Sequence, residues 1–432
     1  MTDIYEIAEY TLKALKDCGA DAAQCIVGRS KKDELNVDSG KFSLMRSTFN
    51  TSISMKAIKD GKKGVTSINQ ATKEAIDEAA AQCIAAAESS IPDEAEQIAP
   101  FTAKAEYKTG VFEPDLDKLF DRIEEFMSQT KKEYPKVILE QLISDYEHSE
   151  KLYMNTNETS LRYEHGEYSF STMFSAHEGE KASSFNGYFC ALDNLDKPFM
   201  DAGMQRQLLE ESEKQLDTVS PSEKFVGKVI YSPDCFNELL QTALENFASS
   251  GVLIDGTSPW KDALNTKVAS EKLNLRSVPL DGRTVVGQRF TSDGYPVENM
   301  DIIVDGVLKT FILSQYGANK TGFPRALNGG NNLEVLPGDK TLEEMISGID
   351  RGLIVNRFSG GQPSSNGDFS GVAKNSFLIE NGKVSSAVSE TMISGNIIDM
   401  LNNIVAISKE QATDGLSFMP WAEFDGVTVS GK

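Results

Sequence analysis

Ser52-Ile53-Ser54-Met55-Lys56-Ala57-Ile58-Lys59-Asp60-Gly61-Lys62-Lys63-Gly64-Val65-Thr66-Ser67-Ile68 is the stretch on which the fold turns. Residues 52–57 alternate polar and apolar, the period of a strand with one buried face. Asp60-Gly61 is a hairpin signal leading into a second strand, Gly64–Ile68. Upstream, Gln24–Arg29 and Asp33–Met45 read as two more strands. Before them, Asp3 to Lys16 reads as an amphipathic helix. Asp3 is its cap, Glu6 lies three residues on, and Ile4, Ile7, Ala8, Leu12 and Leu15 share one face. Gly19 ends it. Downstream, Thr72 to Glu88 carries Ile76, Ala79, Ala80, Cys83 and Ile84 on one helical stripe. The order is α, four β, α.

Ser89–Asp115 holds Pro92, Pro100 and Pro114 among acidic and small residues and reads as a linker. The pattern then returns. A helix is expected over Leu116–Lys131, and strands over Lys136–Tyr146, Lys151–Tyr163, Glu167–Ala176 and Ala182–Leu192. Asp201 starts a closing helix. The recurrence reads as a structural duplication, with two unrelated α+β pieces as the alternative. From Phe225 the texture changes. A strand to Tyr231 is followed by Ser232-Pro233, a cap with proline at the first helical position, and a helix to Ala248. Asp293-Gly294, Asp305-Gly306, Asn381-Gly382 and Asp425-Gly426 then punctuate β-rich sequence. The predicted fold class is α+β: a duplicated α-ββββ-α N-terminal unit followed by a mostly β, barrel-like C-terminal domain. Its expected divisions are 1–88, a linker 89–115, 116–220 and 221–432.

Of 432 residues, 43 are Lys or Arg and 65 are Asp or Glu, a net charge of −22. Phosphate is met by clustered cations, so direct nucleic-acid binding is not expected, and neither is an anionic membrane surface. No apolar run is long enough to span a bilayer. The acidic Met1–Glu6 does not read as a secretory signal. Cys18, Cys25, Cys83, Cys190 and Cys235 are odd in number and scattered, without a C-x-x-C pair, which fits a reducing cytoplasm.

The three histidines limit the chemistry. His177-Glu178 would need a histidine at 181 for a zincin helix, and Lys181 stands there. His148, His165 and His177 all read as exposed turn residues. His165 and His177 are expected at opposite ends of one strand, roughly 30–40 Å apart at ~3.3 Å per residue. A zinc site of histidine plus carboxylates is the alternative. Cys235 begins a helix, where the dipole favours a thiolate, but a small core cysteine beside Phe236 is the plainer reading. Gly426–Lys432 meets a P-loop spacing without the Ser/Thr or the helix that the loop needs. Ser359–Pro363 and Asn366–Asp368 form a long Gly-rich loop, either a plain connection or a partner-contacting rim.

Phe290-Thr291-Ser292-Asp293-Gly294, Leu313-Ser314-Gln315-Tyr316-Gly317-Ala318-Asn319-Lys320-Thr321-Gly322, Asn332-Leu333-Glu334-Val335-Leu336-Pro337-Gly338 and Asn366-Gly367-Asp368-Phe369-Ser370-Gly371 occur in that order. With these segments the chain resembles the TldD/PmbA family, in its PmbA (TldE) branch, once labelled a modulator of DNA gyrase. The resemblance implies a cytoplasmic two-component peptidase for unfolded or flexible peptides. Its TldD subunit carries zinc on an H-E-x-x-x-H helix. Here the corresponding helix, Pro233–Ala248, has no histidine. No metal or catalytic residue is therefore expected in this chain, and zinc is expected in a TldD-type partner. The expected partners are that subunit in a heterodimer, or a second copy, and a peptide. Candidate peptide-contacting residues are Gln362, Asn366, Asp368 and Ser370, with Asp293, Tyr316 and Asn331 nearby. The alternative function is a stand-alone homodimeric peptide-binding or adaptor protein.

Overall fold

The structure is a computed structural model that describes residues 3–221, 223–389 and 391–431. The chain opens α1 (Ile4–Asp17), β1 (Ala22–Asp38), β2 (Lys41–Lys59), β3 (Lys62–Ile68) and α2 (Lys73–Ser89). It continues β4 (Lys104–Gly110), α3 (Leu116–Glu133), β5 (Val137–Asn155), β6 (Ser160–Glu178), β7 (Lys181–Ala182), β8 (Asn186–Leu192) and α4 (Gln205–Lys214). Asp3 caps α1 by accepting the Glu6 N–H, as its sequence predicts. Both residues of the Asp60-Gly61 turn have positive φ, the geometry of a tight two-residue hairpin.

The first unit has three strands where the sequence predicts four. β1 runs unbroken through Arg29-Ser30-Lys31-Lys32-Asp33, and the chain reverses at Ser39-Gly40 instead. The polar run breaks the apolar alternation, but the sheet satisfies it sideways. Lys32 Nζ lies 3.0 Å from Glu147 and 3.4 Å from Asp145 on the neighbouring strand. The same correction holds in β5, where Tyr146–Lys151 reads as a turn and lies mid-strand. The segment expected as a linker contains β4, which pairs in parallel with β6.

One sheet, in the order β3-β2-β1-β5-β6-β4 with β7 and β8 also on β6, joins both N-terminal halves. Each half contributes an antiparallel meander, β1–β2–β3 and β5–β6–β8, and the two meet where β1 pairs with β5. α1 and α2 bury Ile7, Leu15, Ile76 and Cys83 over one end of a face. α3 buries Leu119, Ile123 and Phe126 over the other end. The opposite face is largely polar.

The C-terminal part is a curled sheet that has β9 (Thr218–Val219) at one end and is built around β10 (Phe225–Tyr231) and the long Phe418–Ser430 strand. α5 (Pro233–Ala248) starts with the Ser232 hydroxyl accepting the Cys235 N–H. It packs Phe236, Leu240 and Phe247 with Ala422, Phe424 and Val429. Cys235 is buried in the core, and burial pushes its thiol up to about 12, against a thiolate. A second core joins the two parts: Phe170, Phe199 and Leu208 pack with Ile230, Ile354, Phe377 and Trp421. No helix among the described residues is long and apolar enough to cross a membrane.

Glu211 on α4 sits at this junction. It accepts from Asn356 Nδ2 (2.7 Å) and Gln207 Nε2 (2.8 Å). Burial nevertheless pushes its carboxyl up to about 7 from 4.5. The folded protein thus holds a proton that the unfolded chain has released, and stability falls as pH rises through that window. Glu211→Gln keeps both contacts if the Asn356 amide turns, since Asn356 Oδ1 has no partner. The variant is expected to be about 1–3 kcal/mol more stable at pH 8. The gain should vanish near pH 4.5, measured by denaturant unfolding at both pH values.

Candidate functional site

A cavity of about 750 Å³ opens between the polar face of the N-terminal sheet and the C-terminal part. Strand alternation supplies one wall. Ser30, Ser149 and His165 stand directly opposite one another on β1, β5 and β6, and all line it. α5 supplies the other wall through Asn237 and Gln241, four residues apart and hence on one helical side. Asn237 Nδ2 reaches Ser417 Oγ at 3.5 Å. Asp414 holds the adjoining turn by accepting from the Leu416 and Ser417 N–H groups, at 2.8 and 2.7 Å.

The sheet grips the C-terminal part at the rim of this cavity. Tyr153 donates to Gln24 Oε1 (3.2 Å), and Gln24 Nε2 donates to the Ser292 carbonyl (3.1 Å). Thr102 Oγ1 donates to the Gly294 carbonyl (2.7 Å). Farther along the same face, burial raises the Asp145 carboxyl pKa, with Lys32 opposing the shift.

His148 and His165 differ from their expected setting, and His177 matches it. His148 and His165 lie in the middle of β5 and β6, not in turns, and they face opposite sides of the sheet. Gly166 prompts the turn reading. Its actual role is to let β4 approach, because a Cβ there would meet the Val111 carbonyl oxygen at 1.8 Å. His148 is partly exposed beside Glu164 (3.0 Å). His165 is 2% exposed. Its Nδ1 lies 2.8 Å from Thr109 Oγ1 and 3.1 Å from the Thr109 carbonyl oxygen, and its Nε2 lies 3.1 Å from Glu167 Oε2. His177 sits at the exposed end of β6 beside Ser175 (2.9 Å).

The seven predicted contact residues do not converge. Asn331 alone among them lines the large cavity. Gln362 lines a separate pocket of about 260 Å³ with Glu238, Phe358 and Phe369, on the other side of α5. Asn366 and Asp368 bind each other (2.9 Å) and Asn396, whose Nδ2 donates to Asp368 Oδ1 at 2.9 Å. Ser370 is exposed on a strand opposite Ser394. Asp293 accepts the Gln315 N–H (2.7 Å). Tyr316 donates to Asp93 (3.1 Å), which also pairs with Lys320. These last two join segments of the fold. Glu167, Asn237 and Gln241 were not singled out from the sequence, and His165 was weighed there only as a turn residue. The signal for His165 and Glu167 together was His165-Gly166-Glu167, two residues apart and so on one face of a strand. α5, where the resemblance locates a zinc helix, presents neutral amides to the cavity. Those amides do not fit zinc, which takes thiolate, imidazole or carboxylate.

Comparison with known proteins adds independent findings. Residues 224–431 match the PmbA/TldA metallopeptidase C-terminal domain, and residues 23–87 match domain 1 of the same family. The chain is 31% identical over 155 residues to metalloprotease PmbA of Escherichia coli O157:H7, covering 35% of this chain and 34% of that protein. It is 28% identical over 206 residues to a metalloprotease of Methanocaldococcus jannaschii, covering 44% of each. The chain thus spans between a third and a half of the length of the curated relatives it matches. In fold it is similar to TldE from Thermococcus kodakarensis, with a TM-score of 0.85 and 22% identity over 98% of this chain and 100% of that one. It is similar too to a Bacteroides thetaiotaomicron protein named for modulation of DNA gyrase, with a TM-score of 0.83 and 23% identity over the whole of both chains.

Gly294 tests the grip at the cavity rim. Its φ is +91°, and a Cβ there would meet the Tyr153 ring at 2.3 Å. Gly294→Ala is expected to destabilise the protein by about 2–4 kcal/mol through strain and overpacking. Urea unfolding of the variant against the native chain measures it.

Proposed function

Because the chain belongs to the PmbA/TldD metallopeptidase family, we propose that it is the PmbA/TldE-type subunit of a two-component peptidase for unfolded or flexible peptides. A TldD-type partner supplies the zinc, and this chain holds no catalytic metal on α5. The observation that carries this reading is the amide pair Asn237 and Gln241, which α5 turns toward the cavity. Amide side chains bind peptide main chain through hydrogen bonds and leave hydrolysis to another subunit. The cavity is of a size that takes a few residues of an extended peptide.

The free edge of β2 supports a partner. β3 covers β2 only from Ile53 to Lys59. The stretch before it exposes Leu44, Met45 and Phe49, the last two by 72% and 73%. An unpaired edge with exposed apolar side chains invites a strand from another chain. The net charge of −22 speaks against direct contact with DNA, so a link to gyrase would run through protein contact or proteolysis. Four of the five cysteines are buried, and all five are free, which supports a reducing compartment, the cytoplasm.

Reconstitution tests the proposal. The chain alone is expected to leave casein-derived peptides intact. Mixing it with a TldD-type homologue should produce cleavage that a chelator stops. Chelator-sensitive cleavage by this chain alone would overturn the reading. A homodimer with no affinity for any TldD-type chain would favour a stand-alone adaptor. Phe49→Glu is expected to weaken assembly at least tenfold without altering the melting of the isolated chain, as read by sedimentation and calorimetry.

A further inference from the structure

We propose that Lys151 and Arg289 form an anion subsite in the large cavity, where they hold a carboxylate of the bound peptide, either its C-terminal group or an acidic side chain. The subsite rests on the peptide-binding reading of the cavity and specifies which group of the peptide is held. The acidic side chains that line the cavity are already engaged. Glu150 pairs with Arg162 at 2.6 Å. Glu167 Oε2 lies 3.1 Å from His165 Nε2. Asp414 accepts two N–H groups of its own turn. Lys151 lines the same cavity, and among the described residues its ammonium has no ion-pair or hydrogen-bond partner. Arg289 donates to the carbonyl oxygens of Pro279 (2.6 Å) and Gln288 (3.1 Å). Those acceptors are neutral, so they fix the guanidinium in place and leave its charge unspent.

The two cations share one aromatic neighbour. Tyr163 on β6 stands directly opposite Lys151 on β5. Such cross-strand neighbours have Cβ atoms about 4.5–5.5 Å apart. The Arg289 guanidinium lies over the same ring, 5.5 Å from its centroid. Lys151 thus comes to Tyr163 from the sheet and Arg289 from the C-terminal part. On the other side of Lys151 the sheet is bare. Gly28 of β1 is its partner there, and Ser52 of β2 stands opposite Gly28. A Cβ at Gly28 would lie 2.8 Å from Ser52 Oγ. Without it, the floor beside Lys151 is backbone and serine hydroxyl. Gly287 makes the matching allowance for Arg289, since a Cβ there would lie 2.8 Å from Arg289 Nη1 and 2.1 Å from the Pro279 carbonyl oxygen. Lysine and arginine bind carboxylate through charge-assisted hydrogen bonds, about twice as strong as neutral ones. Asn237 and Gln241 across the cavity are left for the peptide main chain.

Fluorescence anisotropy with the full chain tests the subsite. The probes are a dansyl-labelled short neutral peptide with a free C-terminus, the same peptide amidated, and an amidated peptide with one internal glutamate. A peptide carboxylate is expected to tighten binding roughly tenfold or more over the plain amide. That gain should shrink as sodium chloride is raised. A gain by the free terminus assigns the C-terminal group, and a gain by the glutamate peptide assigns an acidic side chain. Lys151→Gln should abolish the gain and Arg289→Gln should reduce it. Lys31→Gln, on the opposite face of β1 and paired with Asp33, should leave it unchanged. If Arg289→Gln fails to fold, Lys151→Gln decides the matter, because that side chain is exposed. Equal affinity for all three peptides would overturn the subsite and leave the peptide reading standing. A gain that survives Lys151→Gln would do the same. Binding of none of the three would overturn both.

Discussion

From Gln24↔Asn155 to Asp38↔Gln141, β1 and β5 run antiparallel in unbroken register. Everything functional in the molecule depends on that pairing. It joins two meanders into one sheet, and alternation, shifted at the Asn36/Val37 and Leu139/Gln141 irregularities, then assigns the side chains of four long strands to a face. One face takes the helices and the apolar residues. The other keeps Ser30, Ser149, His165 and Glu167 for the cavity. A shift of one residue would exchange the two sets, moving His165 under the helices and Val27 into the solvent. Residues far apart along the chain therefore answer to one local constraint.

The same constraint explains how much of the chain was legible beforehand. Segments whose apolar periodicity reaches a core were readable: α1, α2, the Asp60-Gly61 hairpin and α5 with its Ser232-Pro233 start. The mid-strand polar runs were not. Arg29–Asp33 and Tyr146–Lys151 look like breaks because their partners lie on other strands. Cross-strand ion pairs such as Lys32 with Glu147 hold them in extended conformation. Misreading Tyr146–Lys151 as a turn misplaced His148, and reading Gly166 as a turn residue misplaced His165. The Asn366–Asp368 loop, prominent in sequence, spends its polar groups on Asn396 and on itself.

The family assignment and the cavity address different questions. The first carries the expectation of peptidase chemistry, and the amide face of α5 is the ground on which that chemistry is proposed to belong to a second subunit. The cavity is a property of this chain alone. It has the amides Asn237 and Gln241 on one wall and, across from them, His165 paired with Glu167. These two walls come from different parts of the chain and meet because the shared core joins the two parts and Gln24, Thr102 and Tyr153 tie the sheet to the Phe290–Gly294 segment.

By itself the sequence determined the α+β class, the location of α5 and its lack of histidine, the charge that opposes nucleic acid, and the family. The first three follow from local periodicity, capping or composition, and the family from the resemblance of ordered short segments; none needs knowledge of distant partners. Tertiary structure alone decided which strands continue through polar stretches, that 104–110 joins the sheet, and that His165 is buried with Glu167 beside it. Those outcomes depend on pairing energies between residues far apart along the chain. Thr109 against His165 and Lys32 against Glu147 are such pairs, and no local pattern encodes them.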